Sequence, residues 1–308
     1  MKLKGIVSLT GYAIVISTVG FFARMIDGLD LLTVVFFRAW LAAAFIFIWV
    51  AATGTLRDLA PKNLPVMGLS ALSQGLMMVL FIGATLNTSI ANAVFLTYTA
   101  PVFAILFSWF FLGEKISAAT IGSFVLTAVG VLLIVDVSSF SLNGQILMGD
   151  LMALGAGVCY AGSTVTAKAL SEQNKGQSIV FWQMALTGFA LIPFIQMPTP
   201  EVLLPVAMPL LGLGVLATGC SYLLFMVGVR HVPGQQVLIV TSLETIIPAS
   251  FAWMIFGESL SGVAIVASVL ILCGVIWVQL ADMQSIEMES EDIHTAPTVR
   301  LHPVVVNR

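Results

Sequence analysis

Two charged side chains fall inside long apolar runs, and each has lost its counterpart in an internally repeated sequence. At an offset of 144 residues, Arg38 stands opposite Trp182 and Glu244 opposite Ala100. A charge at bilayer depth costs about 2.5–3.5 kcal/mol or more unless it is paired or hydrated, so neither side chain is expected to face lipid. Glu244 lies near the middle of its run, ~18 Å from the outer end at helical rise. A carboxyl at that depth suits proton coupling, binding of a substrate amine, or a structural hydrogen-bonded acid. Arg38 lies ~10 Å below the outer end of its run by the same rise. It suits contact with a substrate carboxylate, a structural ion pair, or snorkelling to the headgroups.

Polar residues in neighbouring runs supply candidates for the wall of a cavity. Gln74, Asn92, Thr97 and Tyr98 belong to the first half, and Tyr222, Gln236, Thr241 and Ser242 to the second. Each alone is equally explained as a hydrogen bond between helices, worth about 0.6 kcal/mol. Tyr160 and Trp182, with Tyr98, are candidate aromatic walls, although packing explains any one of them. Pro101 and Pro248 remove backbone donors within their runs and are expected to kink them, exposing carbonyls. Small residues such as Gly155, Ala156, Gly157 and Gly162 permit close helix contact.

The elements that carry these side chains must be transmembrane helices. Of the 308 residues, 59% are hydrophobic and only 9% charged, and mean hydropathy is +1.07, against roughly 25% charge in an ordinary soluble domain. Apolar runs of about 20 residues fit helices and are too long for barrel strands. The expected spans are 5–26, 31–52, 65–86, one from residue 90 to the Gly113-Glu114-Lys115 turn, and 117–135. In the second half they are 149–170, 179–197, 209–229, 235–256 and 261–280. Lys2 and Lys4 precede an apolar core in the manner of a signal peptide, but the twin of this segment begins internally at Gly149, so an uncleaved first span is expected.

The repeat runs through both halves without a gap. TYTAPVFAILFSWFFLGEKIS, beginning at Thr97, returns as TSLETIIPASFAWMIFGESLS from Thr241, with Trp109, Gly113 and Glu114 meeting Trp253, Gly257 and Glu258. Pro65, Gly68, Gly75 and Gly130 likewise meet Pro209, Gly212, Gly219 and Gly274. Five spans per copy is an odd number, so the copies must enter the membrane in opposite directions. The fold class expected is an all-α integral membrane protein of ten transmembrane helices in two inverted five-helix repeats. Residues 1–136 form the first repeat, 137–148 a linker, 149–280 the second repeat and 281–308 a disordered cytoplasmic tail. Lys2, Lys4, Arg57, Lys62, Lys115, Lys168, Lys175 and Arg230 gather at one set of ends, and Arg24 alone marks the other, which puts both termini inside a cell membrane.

The Gly-Glu endings, the inverted repeat and the acidic counterpart in the second half together resemble the EamA-type branch of the drug/metabolite transporter superfamily, over about residues 5–280. In that family the fourth and ninth spans end in Leu-Gly-Glu-type turns, here Leu112-Gly113-Glu114 and Phe256-Gly257-Glu258. A Leu-Glu-Pro is common in the second half, where this chain has Leu243-Glu244-Thr245 with its proline at Pro248. Arg38 stands where the family often carries an arginine in the second span. The resemblance implies secondary transport, often export, of small metabolites or amino-acid-like compounds by alternating access.

The residues themselves give no sign of a membrane enzyme. There is no HExxH helix and no pair of intramembrane aspartates, and His231, His294 and His302 sit in a loop or the tail. Cys159, Cys220 and Cys273 lack metal-type spacing and read as packing residues. No metal, cofactor or nucleic acid is expected. The function expected is a secondary transporter of a small organic metabolite, an amino acid or related compound, coupled to protons and working as an exporter. Its partners are the substrate, protons and the lipid bilayer. A channel or lipid translocator built on the same repeat is the alternative.

Overall fold

The computed structural model describes residues 2–107, 109–110, 118–134, 144–229, 231, 243–257, 261–263, 265–274 and 276–277. Among these residues the regular structure is entirely helical. The helices are α1 (Lys2–Ile16), α2 (Val19–Arg24), α3 (Leu31–Ala52), α4 (Leu64–Asn87), α5 (Ile90–Thr97), α6 (Ala100–Phe107), α7 (Ala118–Ile134), α8 (Gly144–Ser171), α9 (Gly176–Leu191), α10 (Pro200–Leu211), α11 (Ser221–Val229) and α12 (Leu243–Phe256). A shorter apolar helix, α13, covers Ile265–Gly274. Among the described residues six helical stretches are long and apolar enough to cross a membrane: Leu3–Arg24, Leu31–Ala52, Leu64–Asn87, Gly144–Ser171, Gly176–Phe194 and Pro200–Gly228. Large apolar side chains such as Phe110, Leu204 and Met208 project outward from the bundle, which only a lipid solvent tolerates on this scale. The Gly113-Glu114 turn, the linker residues 137–143 and the tail 281–308 lie outside the described residues.

Local chemistry explains where the helices bend and stop. Ser17 and Thr18 return their hydroxyls to the carbonyls of Ala13 (2.5 Å) and Val15 (2.6 Å), and this back-bonding separates α1 from α2. Asp30 caps α3, accepting from Thr33 N at 3.0 Å, and Ser89 caps α5 through Asn92 N at 3.0 Å. The break between α5 and α6 falls at Tyr98-Thr99, just ahead of Pro101, where a proline ring clashes with the preceding turn. Gly257 ends α12 at φ +66°, a conformation that favours glycine.

Two boundaries differ from the sequence expectation. Helix α8 begins at Gly144, inside the expected linker, because Leu147 is buried in the second apolar core and extends the helix. The eighth stretch begins at Pro200 instead of at Pro209, with Pro205 and Pro209 inside the helix. It then widens into a π-helical segment, Gly212–Cys220. Prolines cannot donate to the preceding turn, and a looser winding re-satisfies carbonyls that they leave open.

Packing between the halves comes in exchanged pairs. Helix α4 lies along α8, and α1 lies along α11; α3 packs on the π-helical segment, and α9 packs on α4. The contact between α7 and α13 is reciprocal to the residue. A Cβ at Gly130 would lie 2.7 Å from Ile271 and 2.8 Å from the Ala267 carbonyl, while one at Gly274 would collide with Thr127 and lie 2.9 Å from the Ser123 carbonyl. Ser123 and Thr127 are the repeat counterparts of Ala267 and Ile271.

The helix ends sort into two faces. At one, Arg24 donates to the carbonyls of Thr85 and Thr88 (both 3.1 Å) and stands over the Phe256 ring at 5.1 Å. Thr88 in turn donates to Asp150 at 2.7 Å. At the other, Lys175 pairs with Asp58 at 2.8 Å, Asn174 accepts from Lys62 N, and the Trp182 indole donates to the Leu59 carbonyl at 2.7 Å.

Candidate functional site

A cavity of about 110 Å³ lies between the two halves. Its polar wall is built from Tyr12 and Ser17 on α1 and the turn after it, Arg38 on α3, and Thr97 and Tyr98 on and after α5. The second half contributes Tyr160 on α8, Tyr222 on α11, and Glu244 and Pro248 on α12. Apolar contributions from Gly20, Phe81 and Ile90 place the cavity toward the Arg24 face. The chain has four tyrosines, and all four line this one space.

The two charged groups meet the cavity without meeting each other. No ion pair joins Arg38 to Glu244, although both belong to the described residues. Arg38 is only 5% exposed. Its Nε donates to Thr218 Oγ1 at 2.9 Å, while its Nη1 is buried with no hydrogen-bond partner. Thr218 can only accept that bond, because its own hydroxyl proton goes to the Leu213 carbonyl at 2.8 Å. The π-helical winding brings Thr218 to this position, and Gly214 lets the segment approach: a Cβ there would lie 2.5 Å from Leu41 Cβ and 3.2 Å from the Arg38 carbonyl. Glu244 lines the same cavity, in the neighbourhood of Tyr12.

The candidate residues separate into three groups. Arg38, Glu244, Thr97, Tyr98, Tyr222 and Pro248 meet at the cavity. Gln74 stands behind it, its Oε1 accepting from Ser163 at 2.8 Å. Ser163 also accepts from Gln183 (3.1 Å), which donates to Ser70 (2.8 Å), so a buried polar network joins α4, α8 and α9. Asn92 does not reach the cavity. It lies near Asp150 at the Arg24 face, because only one face of the short helix α5 turns inward. Trp182 likewise lies at the far face, on Leu59. The Pro101 side chain and residues Gln236, Thr241 and Ser242 lie outside what the structure describes.

Sequence reasoning missed Tyr12, Ser17 and Thr218. One signal was available for Tyr12: every tyrosine faces a different residue type in the other repeat, namely Ala156, Ser242, Ile16 and Met78 for Tyr12, Tyr98, Tyr160 and Tyr222. The tyrosines therefore break the repeat as Arg38 and Glu244 do.

A family model described as the EamA-like transporter family matches residues 3–136 and again 147–280. The chain belongs to the EamA-like transporter family. It is 27% identical over 266 residues to an uncharacterized transporter of Archaeoglobus fulgidus, covering 86% of this chain and 92% of the relative. It is also 27% identical over 244 residues to the pseudopaline exporter CntI of Pseudomonas aeruginosa, covering 78% and 82%. A solved crystal structure shares the fold at TM-score 0.61 and 17% identity, covering 92% of this chain and 99% of its own. The EamA-like chain described here is thus a multi-pass membrane transporter by family.

Proposed function

We propose that this chain is a secondary transporter that moves a small organic metabolite, an amino acid or related compound, across the cell membrane by alternating access. In this reading ten spans form two inverted five-helix repeats, both termini are cytoplasmic, and the transport is proton-coupled export. The observation that carries the reading is the position of Arg38 and Glu244. One comes from each half, they share a cavity between the halves, and they do not neutralise each other. A rocking motion of one half against the other would therefore change the surroundings of both charges together.

Glu244 supplies the coupling step. A bare carboxylate at this depth is expensive, so the bundle switches readily only when Glu244 carries a proton or is paired with a cationic group of the substrate. Proton and substrate then occupy the same carboxyl in alternate halves of the cycle, in the cavity that Tyr12 also lines. With the termini inside, the cavity stands nearer the outer face, where substrate would leave and a proton would enter.

The test uses purified protein in sealed vesicles containing a pH-sensitive dye, with a panel of amino acids, amines and organic acids. Wild type should show substrate-dependent, saturable proton movement, and Glu244→Gln should lose it while retaining the elution profile of folded protein. Saturable exchange with undiminished proton movement in Glu244→Gln would remove Glu244 from the mechanism. Flux without saturation would indicate a channel, and movement of labelled lipid a translocator.

A further inference from the structure

Two interrupted helices roof the cavity on its Arg24 face. Helix α1 gives way to α2 at Ser17-Thr18, where both hydroxyls return to carbonyls of the preceding turn. Beside it α10 gives way to the π-helical segment Gly212–Cys220, a winding found mostly at functional sites. The two interruptions are neighbours, since a Cβ at Gly212 would collide with the Phe22 ring of α2. Their repeat twins are unbroken. Ser17 and Thr18 correspond to Ala161 and Gly162 within the continuous helix α8, and residues 212–220 correspond to 68–76 within the continuous helix α4. The same repeated sequence thus makes one straight pair of helices, α4 with α8, and one broken pair.

Beyond the interruptions, α2 and α10 are joined to each other. Val19, Ala23 and Ile26 share a buried apolar cluster with Val206 and Leu210, and a Cβ at Gly28 would touch Val202 at 3.6 Å. The inner side of α2 is cavity wall: Val19 and Gly20 line it, and a Cβ at Gly20 would lie 3.1 Å from Ile90 on α5. Arg24 holds α2 down. It donates to the Thr85 and Thr88 carbonyls at the C-terminal end of α4, where the helix dipole favours a cation, and it covers the Phe256 ring at the end of α12. The parts it grips are themselves fixed. A Cβ at Gly149 on α8 would lie 2.7 Å from Thr88 N, and Ala252 of α12 is buried with Ile90 and Val94 of α5.

We infer that α2 and α10 form a hinged flap over the cavity, bending at Ser17-Thr18 and at the π-helical segment, with Arg24 as the latch that holds it shut. The inference goes beyond the transporter reading. Rocking halves need no bend within a helix, whereas here two short helices move while α4, α5, α8 and α12 stay in place. Helix α2 has six residues, about 9 Å at helical rise, so a swing of about 30° carries its far end about 5 Å. That motion breaks both hydrogen bonds of Arg24 and parts Gly20 from Ile90, which opens the wall. At the opposite face the twin halves of α4 and α8 are continuous, so the two faces open by different motions.

The experiment measures distances between pairs of nitroxide labels by pulsed electron spin resonance, on the full chain in lipid nanodiscs with Cys159, Cys220 and Cys273 replaced by alanine. Exposed positions carry the labels. Met25→Cys with Met148→Cys reports flap against body, and Met148→Cys with Trp253→Cys reports body against body. Arg24→Met should lengthen the flap distance by about 5 Å in at least half of the molecules and leave the body distance unchanged. Adding Ser17→Ala and Thr18→Ala, which gives α1 a first half like that of its unbroken twin, should return the flap to its short distance. Phe256→Leu removes the other half of the latch and should lengthen the flap distance in a smaller fraction, so the inference is tested even if Arg24→Met fails to fold. An unchanged flap distance in the folded latch variants overturns the inference. Equal lengthening of both pairs, the mark of rocking halves or of general loosening, overturns it too, as does lengthening that persists when Ser17 and Thr18 are alanine. None of these outcomes bears on the transporter reading, which solute-linked movement in vesicles decides.

Discussion

Replacing Thr218 by valine removes the hydroxyl while keeping the shape of the side chain. Two hydrogen bonds go with it: the one from Arg38 Nε at 2.9 Å and the one to the Leu213 carbonyl at 2.8 Å. A bond to a charged group is worth about 1.5–3 kcal/mol, and the neutral bond within the bilayer about 0.6–1 kcal/mol. Thr218→Val should therefore destabilise the protein by about 2–4 kcal/mol, the guanidinium then having no partner among the described residues. In an Arg38→Met background the larger loss has already been made, and an apolar side chain replaces a buried unpaired charge at little cost or with some gain. There Thr218→Val should cost only about 0.6–1 kcal/mol. The double-mutant cycle, measured by reversible unfolding in mixed detergent micelles, should give a coupling energy of about 1.5–3 kcal/mol. A coupling below about 0.5 kcal/mol would refute the claim that Thr218 holds Arg38.

Three further outcomes follow from the packing and the caps. Gly130→Ala and Gly274→Ala should each cost about 1–3 kcal/mol by overpacking the α7–α13 contact, with the double variant costing less than the sum because both push the same helices apart. Gly68→Ala, where no atom lies within 4 Å of the added carbon, should be neutral or stabilising in the same unfolding assay. At the head of α3, partial burial raises the pKa of Asp30, but hydrogen bonds from Thr33 outweigh it and hold the carboxyl below its usual range. The cap is thus fully present above the unfolded value of about 3.9 and is lost as pH falls through the lower folded value. Asp30→Ala should cost about 1 kcal/mol at pH 7, and unfolding curves should show that difference shrinking in acid.

Much of the architecture was legible in the chain because lipid simplifies the problem. A backbone with no water to bond must become helix, so the apolar runs located the long stretches to within a few residues. The boundaries that moved did so through particular side chains: Leu147 drew α8 back into the linker, and Pro200, in the first turn of α10, starts the helix that sequence began at Pro209. Arg38 and Glu244 were legible as breaks in an otherwise repeated sequence, since a charge at membrane depth has few tolerable environments.

Which polar residues share a wall was not legible, because a helical residue's depth and direction depend on the helix it packs against. Asn92 and Thr97 lie on one short helix, yet one lies near Asp150 at the Arg24 face and the other lines the cavity. Gln74 and Thr218 occupy equivalent repeat positions, yet one accepts from Ser163 and the other holds Arg38. The sequence by itself determined the solvent, the secondary structure, the repeat and the two isolated charges, all of which depend on local composition and spacing. Only the tertiary structure brought the four tyrosines to one cavity and buried a guanidinium nitrogen of Arg38 without a partner, because those facts depend on how helices distant in the chain turn their faces toward one another.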